Sequence, residues 1–350
     1  MRIVVTGGAG FIGSHVTHHL LGQGHQVVVV DDLSRAGSER NDEWLQRQWG
    51  RRARVERVDV RDRFGVGRLV AAFAPELVYH LAGQVAVTSS VIDPRTDFEI
   101  NAGGTLNVLE AARACGAGVI FTSTNKVYGA LEGVGVVERH DRYEYADRPQ
   151  GIDETHPLDF HSPYGCSKGA ADQYVIDYAR IYDMATVVFR MSCIYGERQH
   201  GNEDQGWLAH FAITALAGDP LTIYGDGKQV RDVLHVSDLL RAFDRARACA
   251  RRGAGQVFNI GGGVSRTLSV WTQFGALLSK ELGFQPAVRF GDWRPGDQRI
   301  YVSDIRKASR ELQWQPAVSI PDGVHRLVDW VGARAASNGA AALDARVATA

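Results

Sequence analysis

The stretch "HSPYGCSKGAAD" (161–172) carries a phenol and an ammonium, Tyr164 and Lys168, four residues apart. A helix begun at Ser162 and Pro163 puts these two side chains one above the other on a single face. An ordinary phenol, with a pKa of about 10, is a poor base at neutrality. A lysine cation and a positively charged ring beside it lower that value and make it a usable one. The pair alone decides nothing, because Tyr and Lys at this spacing also occur on solvated helix faces. A second stretch adds hydroxyls: "FTSTNKVYG" (121–129) closes an apolar run and brings up Ser123 and Thr124, either of which holds a reacting hydroxyl in line. Hydroxyl, phenol and ammonium together are what hydride exchange between a carbinol and a nicotinamide needs, provided a dinucleotide lies beside them.

The same sequence offers a place for one. "VVTGGAGFIGSH" (4–15) spaces Gly7, Gly10 and Gly13 as G-x-x-G-x-x-G between a strand and a helix, with Phe11 and Ile12 at the turn. Glycine there lets the backbone turn tightly and approach a pyrophosphate at the helix N-terminus. The next strand ends in "VVVVDDLSR" (27–35), where Asp31 can accept from both hydroxyls of an adenosine ribose and would repel a 2′-phosphate. NAD is therefore expected over NADP, with Asp32, Ser34 and Arg35 beside the ribose and Arg35 the one opening for NADP. "VDV" (58–60) and "LAGQ" (81–84) end the following strands, so Asp59 and Val60 are expected at the adenine and Leu81, Ala82 and Gly83 along the pyrophosphate and ribose.

Elements that could position these groups alternate along the first half of the chain. Apolar runs at 2–6, 26–31, 54–60, 76–82 and 118–124, with helical patterns at about 11–22, 62–73 and 96–115 between them, predict βαβ units. Runs at 185–192 and 257–262 extend the same parallel sheet, while 126–160 reads as a long loop. The fold expected is a Rossmann-type, doubly wound α/β sheet with a smaller interwoven C-terminal α/β lobe for the substrate. Its dinucleotide domain spans 1–190 plus about 233–262, its lobe 191–232 and 263–335, and 336–350 forms a mobile tail. With 39 basic and 40 acidic residues the net charge is −1, which gives no field for nucleic acid or a membrane surface. Cys115, Cys166, Cys193 and Cys249 are scattered without metal-ligand spacing, so no metal is expected. Sparse cysteine, a first strand in place of a targeting segment, and no apolar run of membrane-spanning length predict a cytoplasmic protein.

On "TGGAGFIGS", Asp31, "HLAG", Asn101, "STNKVYG", "SPYGCSK", "GDGKQVRDVLHVSDL" (225–239) and "NIGGG" (259–263), the chain resembles the extended short-chain dehydrogenase/reductase family, in particular its nucleotide-sugar epimerases and dehydratases. The resemblance spans residues 1 to about 330. It implies tightly held, recycled NAD, a nucleotide-sugar substrate, and a Tyr164–Lys168 core with Thr124 or Ser123. It also implies a homodimer or homotetramer packed through helices near 96–115 and 163–182, and contacts to the cofactor from Asn101 and Cys193. In the dehydratases an Asp-Glu pair follows the catalytic threonine; here Asn125 and Lys126 stand there, and neither is a carboxylic acid donor. Within the family, "PLDFHSPYGCSKGAADQYV" and "GKQVRDVLH" are similar to members that invert C2 of a CDP-hexose through a keto-sugar. A 4-epimerase is the alternative, with a 4,6-dehydratase or a non-catalytic dinucleotide-binding protein behind it. Substrate contacts are expected from Gln84, Thr124, Asn125, His161, Trp207, Arg231, Arg294 and Asp297. The two arginines would clamp a diphosphate. Surface, packing or helix-start roles remain open for Arg231, Arg294, Trp207, His161 and Cys193.

Overall fold

The computed structural model describes residues 1–249, 255–294 and 297–348. Along the first half, β1 (Arg2–Thr6), α1 (Phe11–Gly22), β2 (Gln26–Val30), α2 (Ser38–Trp49), β3 (Val55–Glu56), α3 (Arg63–Phe73) and β4 (Leu77–His80) follow in order. Short helices α4 (Val87–Ile92) and α5 (Pro94–Phe98) lead through a π-helical turn (Glu99–Gly103) into α6 (Gly104–Ala114), and β5 (Gly118–Thr124) follows. A hairpin of β6 (Val136–Glu138) and β7 (Tyr143–Tyr145) precedes the long helix α7 (Ser162–Tyr182). Then come β8 (Thr186–Met191), β9 (Cys193–Tyr195), α8 (Trp207–Leu216), β10 (Leu221–Tyr224), β11 (Val230–His235), α9 (Val236–Cys249) and β12 (Gln256–Ile260). The chain ends with β13 (Thr267–Ser269), α10 (Phe274–Leu282), β14 (Val288–Gly291), β15 (Ile300–Tyr301), α11 (Arg306–Glu311) and α12 (Ile320–Ala348).

Seven parallel strands form the main sheet in the order β12-β8-β5-β4-β1-β2-β3. The winding reverses between β1 and β4, and a crevice opens there at the carboxyl ends of the strands. Both faces are covered, which is why the strands read as unbroken apolar runs. Ile3 and Val5 pack under α1 and α9, with Phe243 against Tyr79 at 5.4 Å and against Phe189 at 5.2 Å. Val4, Phe121 and Val188 pack on the opposite face with Val66, Val108 and Val175 of α3, α6 and α7. A smaller lobe has its own core of Leu208, Phe211, Ile223, Phe274 and Leu327. In it, β11 pairs with β9, β13 and β15, and β10 pairs with β14.

Local expectations are refined at four places. The run 54–60 supplies only Val55–Glu56 as strand, because the Asp59 carboxylate accepts from the Arg61 amide at 2.8 Å and turns the chain. The helix expected over 96–115 forms as α5, a π-helical turn around the buried side chain of Asn101, and α6. The stretch 126–160 is not loop throughout: it holds the β6–β7 hairpin and docks on the small lobe, with Ile152 N–H donating to Val302 O at 2.8 Å. The last helix runs from Ile320 through Ala348; of the expected tail, 349 and 350 lie outside the described residues.

Glycine spacing in the first turn has a steric cause. A Cβ on Gly13 would lie 1.9 Å from Gly7 O and 2.6 Å from Gly8 Cα, both backbone. Gly13→Ala should cost about 1–3 kcal/mol in urea unfolding. In contrast Gly67→Ala, where nothing lies within 4 Å in the middle of α3, should stabilise by about 0.5–1 kcal/mol.

Candidate active site

The crevice is built first by backbone. Gly7, at φ +66°, sits so close to the end of β4 that a Cβ on it would lie 2.6 Å from Ala82 N. Its own N–H donates to Val30 O at 2.8 Å, and Leu81 N–H donates to Thr6 O at 3.1 Å, which ties the ends of β1, β2 and β4 into one floor. At the end of β2 the buried Asp31 carboxylate accepts from Ala9 N–H and from Leu33 N–H, each at 2.9 Å. Burial pushes its pKa up while these amides pull it down. Two of its roughly four lone-pair sites are thereby used, and the remainder can accept from a diol. Glycines that only a side-chain-free backbone satisfies, a helix N-terminus and an acid at the second strand end fit a dinucleotide carrying no 2′-phosphate.

A cleft beside this floor is lined by Gly10, Phe11, Gly37, Asn41, Arg198 and Gln205. Arg35 donates to Gln205 Oε1 at 2.8 Å and Asn41 to Arg198 O at 3.4 Å, so a loop after β9 reaches across to the β2 side. Asp32 is occupied by Ser34, whose hydroxyl donates to it at 2.7 Å, and Asp59 holds Arg61 at 2.6 Å. Ile12 and Val60 pack inward, Ile12 on the core under α1 and Val60 against Gly104. Gly83 leans on Asn101, where a Cβ would lie 2.9 Å from Asn101 Oδ1. Asn101 itself departs from the expected cofactor contact. Its carbonyl accepts from Gln84 N–H at 3.0 Å, and its amide group donates to Asp97 at 3.1 Å and to Ser167 at 3.0 Å, so it braces the crevice wall from behind.

The reacting groups come from β5 and α7. Tyr164 lies buried one turn into α7, its amide donating to Ser90 Oγ at 3.1 Å and its phenol hydrogen-bonded to Thr124. Thr124 Oγ1 also accepts from Lys126 N–H at 3.2 Å, capping the 3-10 turn Asn125–Tyr128. Lys168 donates from Nζ to Thr122 O at 2.7 Å and stands over the Phe121 ring at 4.2 Å. The expectation that its charge would lower the phenol is not met in the chain by itself. Burial dominates both groups, pushing Tyr164 up to about 12 and Lys168 down to about 7.

Ser123 is corrected. Side chains alternate along a strand, so Thr124 and Ser123 face opposite ways. Ser123 Oγ donates to Asp172 Oδ2 at 2.7 Å, inside a buried network. There Arg190 grips both oxygens of Asp172 at 2.8 and 3.0 Å and reaches Tyr128 Oη at 3.3 Å, and Tyr128 donates to Asn259 at 2.7 Å. Asp172 and Arg190 escaped the sequence reading, although Asp172 lies four residues after Lys168 on the same helix. So did Ser167, whose hydroxyl donates to buried Asp97 at 2.5 Å.

On the lobe side, buried Arg231 is paired with Asp297 at 2.7 Å. Arg294 stacks over Tyr224 at 4.0 Å and is drawn to Glu203 at 3.4 Å. Trp207 packs edge-on against Phe274 at 5.1 Å and touches the Cys193 thiol, which burial pushes up. Arg231 and Lys126 also lie within electrostatic reach of Cys193. Gln84 is folded back, accepting from Ala86 N–H at 2.5 Å and donating to Ala86 O at 2.7 Å, and exposed His161 pairs with Asp159 at 2.8 Å. Asn125 is buried, its carbonyl 3.4 Å from the Thr124 hydroxyl.

The family model described as NAD dependent epimerase/dehydratase family matches residues 3–261. A CDP-paratose 2-epimerase from Salmonella typhi is 45% identical over 337 residues, covering 94% of this chain and 99% of that relative. Among solved structures, the UDP-glucose 4-epimerase of Thermotoga maritima with UDP-glucose aligns with a TM-score of 0.81 and 33% identity, over 94% of this chain and 98% of its own. The Thermus thermophilus UDP-glucose 4-epimerase complex with NAD gives 0.78 and 34%, over 95% and 99%. Among the described residues no helix is long and apolar enough to cross a membrane.

The depressed lysine makes a signed prediction. Lys168 falls from an ordinary 10.5 to about 7, so between those values the unfolded chain binds more protons and this group adds stability as pH rises. The stability gap between wild type and Lys168→Met, read by urea unfolding, should therefore shift in favour of wild type from pH 7 to pH 10 and stay flat below pH 6.

Proposed function

We propose a specific reaction for this chain on one premise: it belongs to the NAD dependent epimerase/dehydratase family. The reaction is inversion of C2 in a CDP-hexose, by transient oxidation of the carbinol to a ketone and return of hydride to the other face. What carries the reading is the 45% identity, end to end, to a CDP-paratose 2-epimerase, against 33–34% to the solved UDP-glucose 4-epimerases. Asn125 and Lys126 after Thr124 agree with it, since neither is a carboxylic acid like the Asp-Glu pair that the dehydratases carry there.

NAD supplies the hydride acceptor and donor and, when oxidised, a positive charge near the phenol. Gly7, Gly10 and Gly13 would hold its pyrophosphate, and Asp31 its ribose. Thr124 and Tyr164 hold the carbinol oxygen between them, and Tyr164 Oη takes the hydroxyl proton and later gives it back. Because burial favours the neutral phenol, the basic form depends on cationic charge beside it, which an oxidised nicotinamide would supply. Arg231 and Arg294 retain the diphosphate while the sugar turns. The exposed apolar residues Ile92, Phe98, Tyr174 and Ile181 on α4, α5 and α7 are where two copies associate. The free thiols of Cys115, Cys166 and Cys193 fit a reducing, cytoplasmic setting.

Purified protein incubated in D2O with CDP-glucose and no added cofactor, followed by proton NMR, should yield CDP-mannose with no deuterium at C2. Galacto signals would move the inversion to C4, and solvent deuterium at the inverted carbon would replace hydride return with proton exchange. Tyr164→Phe should lower turnover at least a hundredfold, within the range for loss of a general base, while NAD content after purification is retained.

A further inference from the structure

Lys126 is a half-buried cation that the proposed chemistry does not use. It follows Thr124 by two residues, on the turn whose backbone the Thr124 hydroxyl caps, so its side chain leaves from beside the reacting groups. Among the described residues its ammonium has one hydrogen-bond partner, the neutral Gln298 Oε1 at 3.4 Å, beyond the usual 2.7–3.2 Å range. An ammonium carries three donors, so at least two are unspent. The nearest carboxylate, Asp297, is already gripped by Arg231 at 2.7 Å. Burial and the Arg231 charge both weigh against the protonated form of Lys126, while Asp297 and Cys193 favour it only secondarily. A partly desolvated cation with spare donors and no dedicated anion is less stable than one in water, and a ligand that accepts those bonds while closing over it offsets that loss.

We infer that Lys126 is a specificity-determining residue that donates to oxygens of the substrate's hexose, beside the carbon held by Thr124 and Tyr164. The inference rests on the nucleotide-sugar reading, but not on which base or which carbon is involved. The sugar is favoured over the diphosphate because the Lys126 backbone is held by the Thr124 hydroxyl, one of the two groups proposed to grip the carbinol.

The test is a comparison of affinities in the Tyr164→Phe background, where no turnover accompanies binding. CDP-glucose and UDP-glucose are each titrated calorimetrically beside CDP and UDP, which lack the sugar. Adding Lys126→Met should weaken the nucleotide sugar by about ten- to a hundredfold, the loss typical of a hydrogen bond from a charged group, and leave the bare nucleotide within about twofold. Lys126→Gln, which keeps a donor without the charge, should fall between. A merely structural lysine would weaken sugar and bare nucleotide together or neither, and either result overturns the inference. Equal loss would place Lys126 on the diphosphate. A parent protein that gains nothing from the hexose over the bare nucleotide overturns it as well. Failure of the C2 assignment registers elsewhere, in the NMR product, and leaves these affinities readable.

Discussion

Keeping an ammonium inside the protein, at the foot of the crevice, is the constraint around which the reacting end is organised. Lys168 spends its hydrogen bond on the Thr122 carbonyl and is flanked by two buried carboxylates, Asp97 and Asp172. Neither acid is left bare. Asp97 is held by Ser167 and Asn101, and Asp172 by Ser123 and Arg190. Removing one partner from a buried ionic group leaves the other uncompensated, so these polar side chains stand or fall together. The brace explains why α7 lies where it does: its inner face is fixed to β5 and β8 by charge and hydrogen bonds as well as by the packing of Val175 and Ile176.

Much of this organisation was legible in the residues, and its failures are instructive. The parallel sheet could be read because strands buried on both faces carry continuous apolar runs, and the switch point followed from their order. The Gly7-Gly10-Gly13 spacing could be read because a close backbone approach admits no side chain. Two-residue alternation would have separated Ser123 from Thr124, yet it does not say which of the pair faces the crevice. That depends on Asp172 and Arg190, remote along the chain. Gln84 and Asn101 have the composition of binding residues, but their amides close on nearby backbone and side chains, a choice made by local geometry. The pairing of Arg231 with Asp297 was not legible, because the two lie 66 positions apart.

The two lobes are joined more intimately than a simple division suggests. Residues 126–160 leave the carboxyl end of β5, an interior strand of the main sheet, and pair with the small lobe, Tyr143 N–H donating to Lys228 O at 3.2 Å and Asp304 N–H to Ile152 O at 2.8 Å. Tyr128 and Asn259 connect the same region to the ion pair behind the Tyr–Lys helix. Motion of the lobe is thus mechanically linked to the ground on which Thr124 stands.

The loop after β9 completes that linkage on the opposite side. Through Gln205 on Arg35, Arg198 on Asn41 and His200 against Gly37, it spans from the small lobe to the segment beyond Asp31. A dinucleotide seated on the crevice floor would therefore lie beside residues of both lobes. For an isomerase that returns to its starting oxidation state in every cycle, slow exchange carries no penalty. Such an enzyme works from its resident equivalent, and its flux follows the supply of sugar and is insulated from the redox balance of the surrounding pool.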